Sequence, residues 1–206
     1  MHAFCLDFTN FKTREMKDAM SKIFNIKSDF LISETYSECW ALIMNCAFVS
    51  YNLMDNVNKI EHYNDFKLYL TIFYAFELHF SCMQSIKILN HMNLTYEQLS
   101  NPNMKSQVYM IYKENTNVFA YYILKVVFLY FHQDFLLFCY KNNENIIHFD
   151  KTYGNIERLI QFIKKKYKNK TFLKKISLFG KQLSKHSIKN CPELLKTNKM
   201  TIVEHY

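Results

Sequence analysis

The residues of this chain whose types and spacing best fit metal chemistry are two glutamates and one histidine. Glu34 and Glu38 are four residues apart within the segment SETYSECWA at 33–41, and His2 lies near the N-terminus. Side chains at this spacing project from one face of a helix. Imidazole nitrogens and carboxylate oxygens bind zinc, and three such ligands leave a fourth position for a reactive water. These residue types make His2, Glu34 and Glu38 candidate metal ligands.

The same segments resemble parts of the gluzincin-type zinc metallopeptidases, in which two histidines of an HExxH helix and a downstream glutamate bind zinc. Residues 33–41 resemble the helix that carries the third ligand. Met1-His2-Ala3-Phe4 resembles the end of an HExxH helix of the form His-Glu-x-Met-His-Ala-Phe. The resemblance covers residues 1–45. It implies that His2 is the second zinc histidine and Glu34 the third ligand, with Glu38 in support.

The resemblance lacks two residues that catalysis by such an enzyme requires. The first histidine of the motif and its glutamate, the general base, are absent from the 206 residues. The resemblance therefore implies a remnant or fragment of a zinc metallopeptidase, of the sort that AT-rich large DNA viruses encode, with zinc as the cofactor. The abundance of lysine, asparagine and isoleucine is also typical of an AT-rich genome.

A structural interpretation of the two glutamates stays open. Acidic residues in the first turn of a helix are stabilised by the helix dipole and need no metal. Trp40, the only tryptophan, falls on the apolar face, where aromatic residues usually form core. We favour this interpretation, on which the chain is a non-catalytic interaction protein, and keep the metallopeptidase remnant as the alternative. We then expect no catalytic residue, no cofactor and a protein partner whose identity the sequence does not give.

The composition predicts an all-α fold. Half of the residues are hydrophobic, which is enough for one core, but only two glycines and two prolines occur in 206 residues. Tight hairpins and bulges need such residues, so sheets are disfavoured. Gly154 and Gly180 stand apart, which excludes the glycine-rich loops that bind nucleotide phosphates.

Hydrophobic periodicity predicts about seven helices in a single domain, 1–190, followed by a C-terminal tail, 191–206. Ser33 is the expected N-cap of the first central helix, and Thr95 with Gln98 predicts a capped turn. The predicted helices are 13–24, 34–57, 65–92, 104–113, 118–141, 154–168 and 171–187.

The predicted helical hairpin at 151–189 concentrates positive charge. It holds twelve basic residues and one acid, whereas residues 1–150 hold twelve basic and fifteen acidic residues. This pattern predicts non-specific binding to nucleic acid or to an anionic membrane surface, because arginine, which reads bases, is almost absent. Such binding is the most that the pattern supports, and a solvated helix face is the default expectation. The candidate contacts are Lys164, Lys165, Lys166, Lys168, Lys174, Lys175 and Lys181.

Cysteine usage and hydropathy predict a location inside the cell. The six cysteines form no C-x-x-C pair, and no signal-peptide pattern precedes them, so we expect reduced thiols in the cytoplasm. Neither 68–76 nor 118–140 reaches about 20 uninterrupted apolar residues, so we expect no transmembrane span.

Polar residues interrupt two of the central helices. Glu77 and His79 lie in 65–92, and His132 and Asp134 lie in 118–141. Buried polar groups need partners and sometimes mark functional sites. The simpler expectation is that they form hydrogen bonds between helices.

Overall fold

Helices account for nearly all the regular structure, as the scarcity of glycine and proline predicts. The computed structural model describes residues 1–54, 63–190 and 198–203, with side chains described only as far as residue 183 in the last helix. These residues form nine α-helices and no strand, so the all-α prediction is confirmed. The helices are α1 (Thr13–Ser21), α2 (Ile32–Asn52), α3 (Tyr63–His91), α4 (Tyr96–Ser100), α5 (Lys105–Ile111), α6 (Lys125–Tyr130), α7 (His132–Asn142), α8 (Tyr153–Lys166) and α9 (Lys170–Asn190).

The centre of the fold is the packing of α2 on α3 and α6, with α9 against the other part of α3. Aromatic side chains fill this core. Phe135 is fully buried and its ring packs against those of Trp40 and Phe128, with centroids 6.0 and 5.1 Å apart. Four of the cysteines are buried and free, as expected for reduced core thiols: Cys39, Cys46, Cys82 and Cys139.

The predicted single helix at 118–141 is wrong. The chain forms a π-helical segment, Phe119–Leu124, which continues into α6, and then bends by 89° before α7. Phe131 leaves the helical conformation at φ −105° and ψ 35°. The hydroxyl of Tyr74 donates to the carbonyl of Leu129 at 2.8 Å, so this backbone carbonyl next to the bend has a hydrogen-bond donor from another helix. Because this partner comes from α3, the bend has no local sequence signal. The bend and the separate helix α4 raise the number of helices above seven.

The ends of the helices confirm one capping prediction and correct another. Thr95 and Gln98 form the predicted capping box at α4. The Thr152 hydroxyl accepts from the amide of Asn155 at the start of α8, a cap that was not predicted. Ser33 is not the N-cap of α2. The helix begins after Leu31, whose amide donates to Asn117 Oδ1 at 3.1 Å, and Ser33 is buried inside the first turn. The predicted end at Val57 lies outside the described residues.

The described part of the C-terminal tail, 198–203, packs against the body. Val203 is buried, and Asn45 Nδ2 of α2 donates to its carbonyl at 2.7 Å. The tail is therefore anchored where the sequence predicted only loose chain.

Among the described residues, no single helix is long and apolar enough to cross a membrane. The segments Phe119–Tyr130 and His132–Asn142 are long and apolar enough for a membrane span only when they are counted together, and the chain bends by 89° between them.

Candidate functional site

His2 and Glu34 meet at the surface of the fold. The short helical turn His2–Phe4 carries the histidine, and the first turn of α2 carries the glutamate. His2 Nε2 lies 3.2 Å from Glu34 Oε2. The side chain of His2 is half exposed and that of Glu34 is 13% exposed, so solvent reaches the pair. The two residues that the resemblance selected are therefore brought together.

Asp7 holds the other side of the His2 ring. Its Oδ2 lies 2.5 Å from His2 Nδ1, and its other oxygen accepts from the Thr9 amide at 2.8 Å. Burial raises the pKa of Asp7, but the hydrogen bonds from Thr9, the charge of His2 and a bond from Ser37 lower it, and the net pKa lies below its ordinary value. Asp7 is thus an ionised, nearly buried acceptor that fixes the orientation of the imidazole.

Tyr121 contacts Glu34 from the π-helical segment. Its hydroxyl donates to Glu34 Oε2 at 2.8 Å. Burial raises the pKa of Tyr121 to about 12, and the bond to Glu34 contributes to the same direction. The carboxylate oxygen that faces His2 is therefore also held by a phenol that stays protonated at neutral pH.

Glu38 lies near this pair without bonding to it. In the described part of the chain no hydrogen bond joins Glu38 to His2 or Glu34. Burial raises the pKa of Glu38, Lys125 lowers it, and the neighbouring charge of Glu34 raises it further, with a net rise. Lys125 itself is almost fully buried, and burial lowers its pKa while the charges of Glu38 and Glu77 oppose that change. Glu38 is therefore a half-buried carboxyl group that interacts with the His2–Glu34 pair through charge alone.

No protein family, curated protein or solved structure is significantly similar to this chain. Across residues 1–54, 63–190 and 198–203, no three His, Cys, Asp or Glu side chains are arranged to hold a metal ion together. Of the three predicted metal ligands, only His2 and Glu34 are in direct contact.

The lysines of the basic hairpin lie mostly in solvent. Lys166 is an exception, since its Nζ lies 2.5 Å from Asp134 Oδ2 and 4.6 Å from the centroid of the Phe131 ring. Lys175 is half-buried with its ammonium 5.0 Å from the Phe179 ring centroid. The exposed members of the predicted set are Lys164, Lys165, Lys168, Lys174 and Lys181.

A cleft between α7 and α8 lies beside this surface. It has a volume of about 640 Å³, and its charged lining residues are Lys141, Arg158, Lys165, Lys166, Asp134 and Glu157. The lining therefore carries more basic than acidic side chains, and Lys165 belongs both to the cleft and to the exposed lysines.

The other polar candidates have separate structural environments. Glu77 is fully buried and accepts hydrogen bonds from the tail. His79 is exposed, with Nδ1 2.7 Å from the carbonyl of Ala75, and Asp134 pairs with Lys166. His132 lies against Tyr74, and burial lowers its pKa. In the described chain these residues do not form one shared site.

Sequence reasoning missed Asp7, Tyr121 and Lys125. Asp7 had a weak signal, since an aspartate two residues before a threonine often bonds to the local backbone. Tyr121 and Lys125 had none, because Tyr121 bonds to Glu34 across 87 positions of sequence and the charge of Lys125 acts on Glu38 from a different helix. Only the packing of α2 on the Phe119–Tyr130 segment brings them to the site.

Proposed function

We propose that His2 and Glu34 are two ligands of a zinc site of the HExxH metallopeptidase kind. The observation that carries the proposal is the 3.2 Å separation of His2 Nε2 and Glu34 Oε2. Two ligand atoms at about 2.1 Å from a tetrahedral zinc ion are about 3.4 Å apart. Both atoms therefore fit a common zinc ion with little movement of either side chain.

The contact between Asp7 and His2 supports this proposal. Histidines that bind metals usually donate their second ring nitrogen to a carboxylate or carbonyl, which fixes the tautomer and the ring orientation. Asp7 provides such an acceptor at Nδ1, which leaves Nε2 as the atom available to a metal. When bound, zinc would supply a Lewis acid that activates water and polarises a carbonyl group.

Two protein ligands make an incomplete catalytic site. The resemblance assigns the first histidine and the general base to a segment before His2, outside the 206 residues. We therefore propose zinc binding as the property of this chain, and peptidase activity as a property of a longer chain that contains those two residues. In-frame codons for His-Glu-x directly before Met1 would support the longer form, and other codons there would remove it.

Zinc titration of the purified chain by calorimetry tests the proposal. We expect one zinc ion per chain, with binding weakened by about tenfold or more in His2→Ala and in Glu34→Gln. His148→Ala and Glu157→Gln are matched controls because both side chains are exposed in the region after α7. Equal affinity in the wild type and the two site variants, or no stoichiometric zinc, would contradict the proposal.

A second candidate function is that of a non-catalytic interaction protein. The observation that favours it is an exposed apolar row on α3, in which Leu68, Ile72 and Phe76 are 56%, 41% and 57% exposed at a spacing of four residues. Such rows are typical of protein contact surfaces. Sedimentation of the wild type and Ile72→Asp over a concentration series tests self-association through this row. If both proteins sediment as monomers at every concentration, self-association through this row is excluded.

Non-specific binding to anionic polymers remains a proposal for the exposed lysines of α8 and α9. Twelve basic residues against one acid in 151–189 support it. The test is binding to random-sequence DNA across a salt series, in which affinity should fall steeply with salt. Absence of binding, or a response that does not depend on salt, would remove it.

A further inference from the structure

The tail is held through its backbone. The amides of Ile202 and Val203 donate to Glu77 Oε1 at 2.9 and 2.7 Å, and Asn45 Nδ2 donates to the carbonyl of Val203 at 2.7 Å. Lys125 Nζ donates to the carbonyl of Met200 at 3.3 Å. Three side chains from α2, α3 and α6 thus bind main-chain atoms over four residues. We call Asn45, Glu77 and Lys125 the tail groove.

Neighbouring side chains of the tail differ in how deeply they are buried in the groove. Val203 is 7% exposed, whereas Ile202, its neighbour, is 49% exposed. The hydroxyl of Thr201 also donates to Glu77 Oε1. A segment bound by its backbone with one buried apolar side chain has the usual form of an extended peptide ligand, in which main-chain bonds provide affinity and one pocket provides selectivity.

The groove has hydrogen-bonding capacity that the tail does not use. Glu77 is fully buried, yet its Oε2 has no hydrogen-bond partner in the described chain. Ser81 lies one turn later on the same helix face, is 2% exposed, and its Oγ likewise has no partner there. Buried polar atoms are nearly always paired, because an unpaired one loses its hydrogen bonds to water without replacement. The unused oxygen atoms are further acceptors that a ligand other than the tail can also bind.

We propose that the tail groove is a binding site for an extended peptide, and that the chain's own tail occupies it as an intramolecular competitor. The ligand offers two successive backbone N–H groups to Glu77 and a small branched apolar side chain at the position of Val203. Its carbonyls accept from Asn45 and Lys125. Proline at either of the two amide positions prevents binding, because proline lacks the N–H group.

The first experiment uses full-length chain and a labelled peptide with the tail sequence, Asn-Lys-Met-Thr-Ile-Val. Val203→Asp weakens the intramolecular tail because it places a charge at a buried position. Ile202→Asp is the matched control, since that side chain is half exposed. By fluorescence anisotropy we expect Val203→Asp to bind the peptide about tenfold or more tightly than the wild type, because a tethered competitor has a high effective concentration. Ile202→Asp should resemble the wild type.

The peptide Asn-Lys-Met-Thr-Pro-Val is the control for backbone recognition. It should not compete with the labelled peptide at concentrations where the parent peptide does. Equal binding by Val203→Asp and the wild type, or equal competition by the proline peptide, would overturn the proposal.

A second measurement does not depend on the fold of the variant. In the wild-type chain, the amides of Ile202 and Val203 are hydrogen-bonded and should exchange slowly with deuterium. An excess of the unlabelled parent peptide should increase their exchange rates, because it displaces the tail, and the proline peptide should not. Unchanged exchange at the highest parent-peptide concentration would overturn the proposal, even if Val203→Asp fails to fold.

Discussion

His2 and Glu34 are in contact across 32 positions of sequence, with Nε2 and Oε2 3.2 Å apart. Asp7 lies on the opposite nitrogen of the same ring, so the imidazole is between two carboxylates. Carboxylates only accept hydrogen bonds, so both nitrogens donate when the ring is protonated. A metal ion would take the place of the proton on Nε2.

Where the His2 ring is protonated, zinc binding at Nε2 should release that proton, because histidine binds metals through an unprotonated nitrogen. Calorimetric titrations at one pH in buffers with different ionisation enthalpies measure this release. We expect the apparent enthalpy to depend on the buffer in the wild type, and the apparent affinity to increase with pH. An enthalpy that is the same in every buffer would show that zinc does not displace the Nε2 proton.

Asp7→Asn should weaken zinc binding without removing a ligand. Carboxylates that accept a hydrogen bond from a metal-binding histidine contribute about 10–100-fold to metal affinity. The substitution should also lower stability. The pKa of Asp7 is lowered in the folded state, so its contribution is present above its ordinary pKa of 3.8 and is lost as the pH falls through the folded value.

Urea unfolding of Asp7→Asn and the wild type at pH 7 and near pH 3 measures the stability effect. The difference in free energy of unfolding should be larger at pH 7. Asp150→Asn is a partial control, because that residue is half-buried in the loop before α8 and distant in sequence from His2. A difference that grows at low pH would contradict the assignment of Asp7.

Glu38→Gln should stabilise the chain at neutral pH. The pKa of Glu38 is raised in the folded state, chiefly by burial, so its ionisation costs stability above the folded pKa. At low pH the folded and unfolded states are both protonated, and the advantage of the glutamine should vanish. Thermal unfolding from pH 4 to pH 8 measures this. If Glu38→Gln raised the unfolding temperature more at pH 4 than at pH 8, the prediction would be contradicted.

Phe135→Ala should be among the most destabilising core substitutions. The ring is fully buried and contacts Tyr36, Trp40, Phe128 and Phe162. Loss of a buried phenylalanine typically costs about 3–5 kcal/mol, which includes the cavity that remains. Leu137→Ala, two residues later and 47% exposed, is the control and should change the free energy of unfolding little. Chemical denaturation of the wild type and the two variants measures these changes in the free energy of unfolding.

Local sequence signals predicted which segments are helical better than they predicted where each helix begins and ends. The capping box at Thr95 and Gln98 is confirmed because all its hydrogen bonds lie within four residues. The Ser33 cap is wrong because Asn117, from a distant segment, binds the backbone at Leu31 instead. The bend at Phe131 was missed for a similar reason, since it is stabilised by Tyr74 from α3 rather than by a proline or glycine.

The sequence by itself determined that the chain is helical, because glycine and proline are scarce and the apolar residues repeat with a helical period. It also selected His2 and Glu34 as candidates by residue type and resemblance. Only the tertiary structure decided that the two side chains meet, that Asp7 and Tyr121 hold them, and that the tail lies on Glu77. The physical reason is that a contact between distant segments depends on how helices pack together, and helix periodicity specifies which face is buried but not which partner covers it.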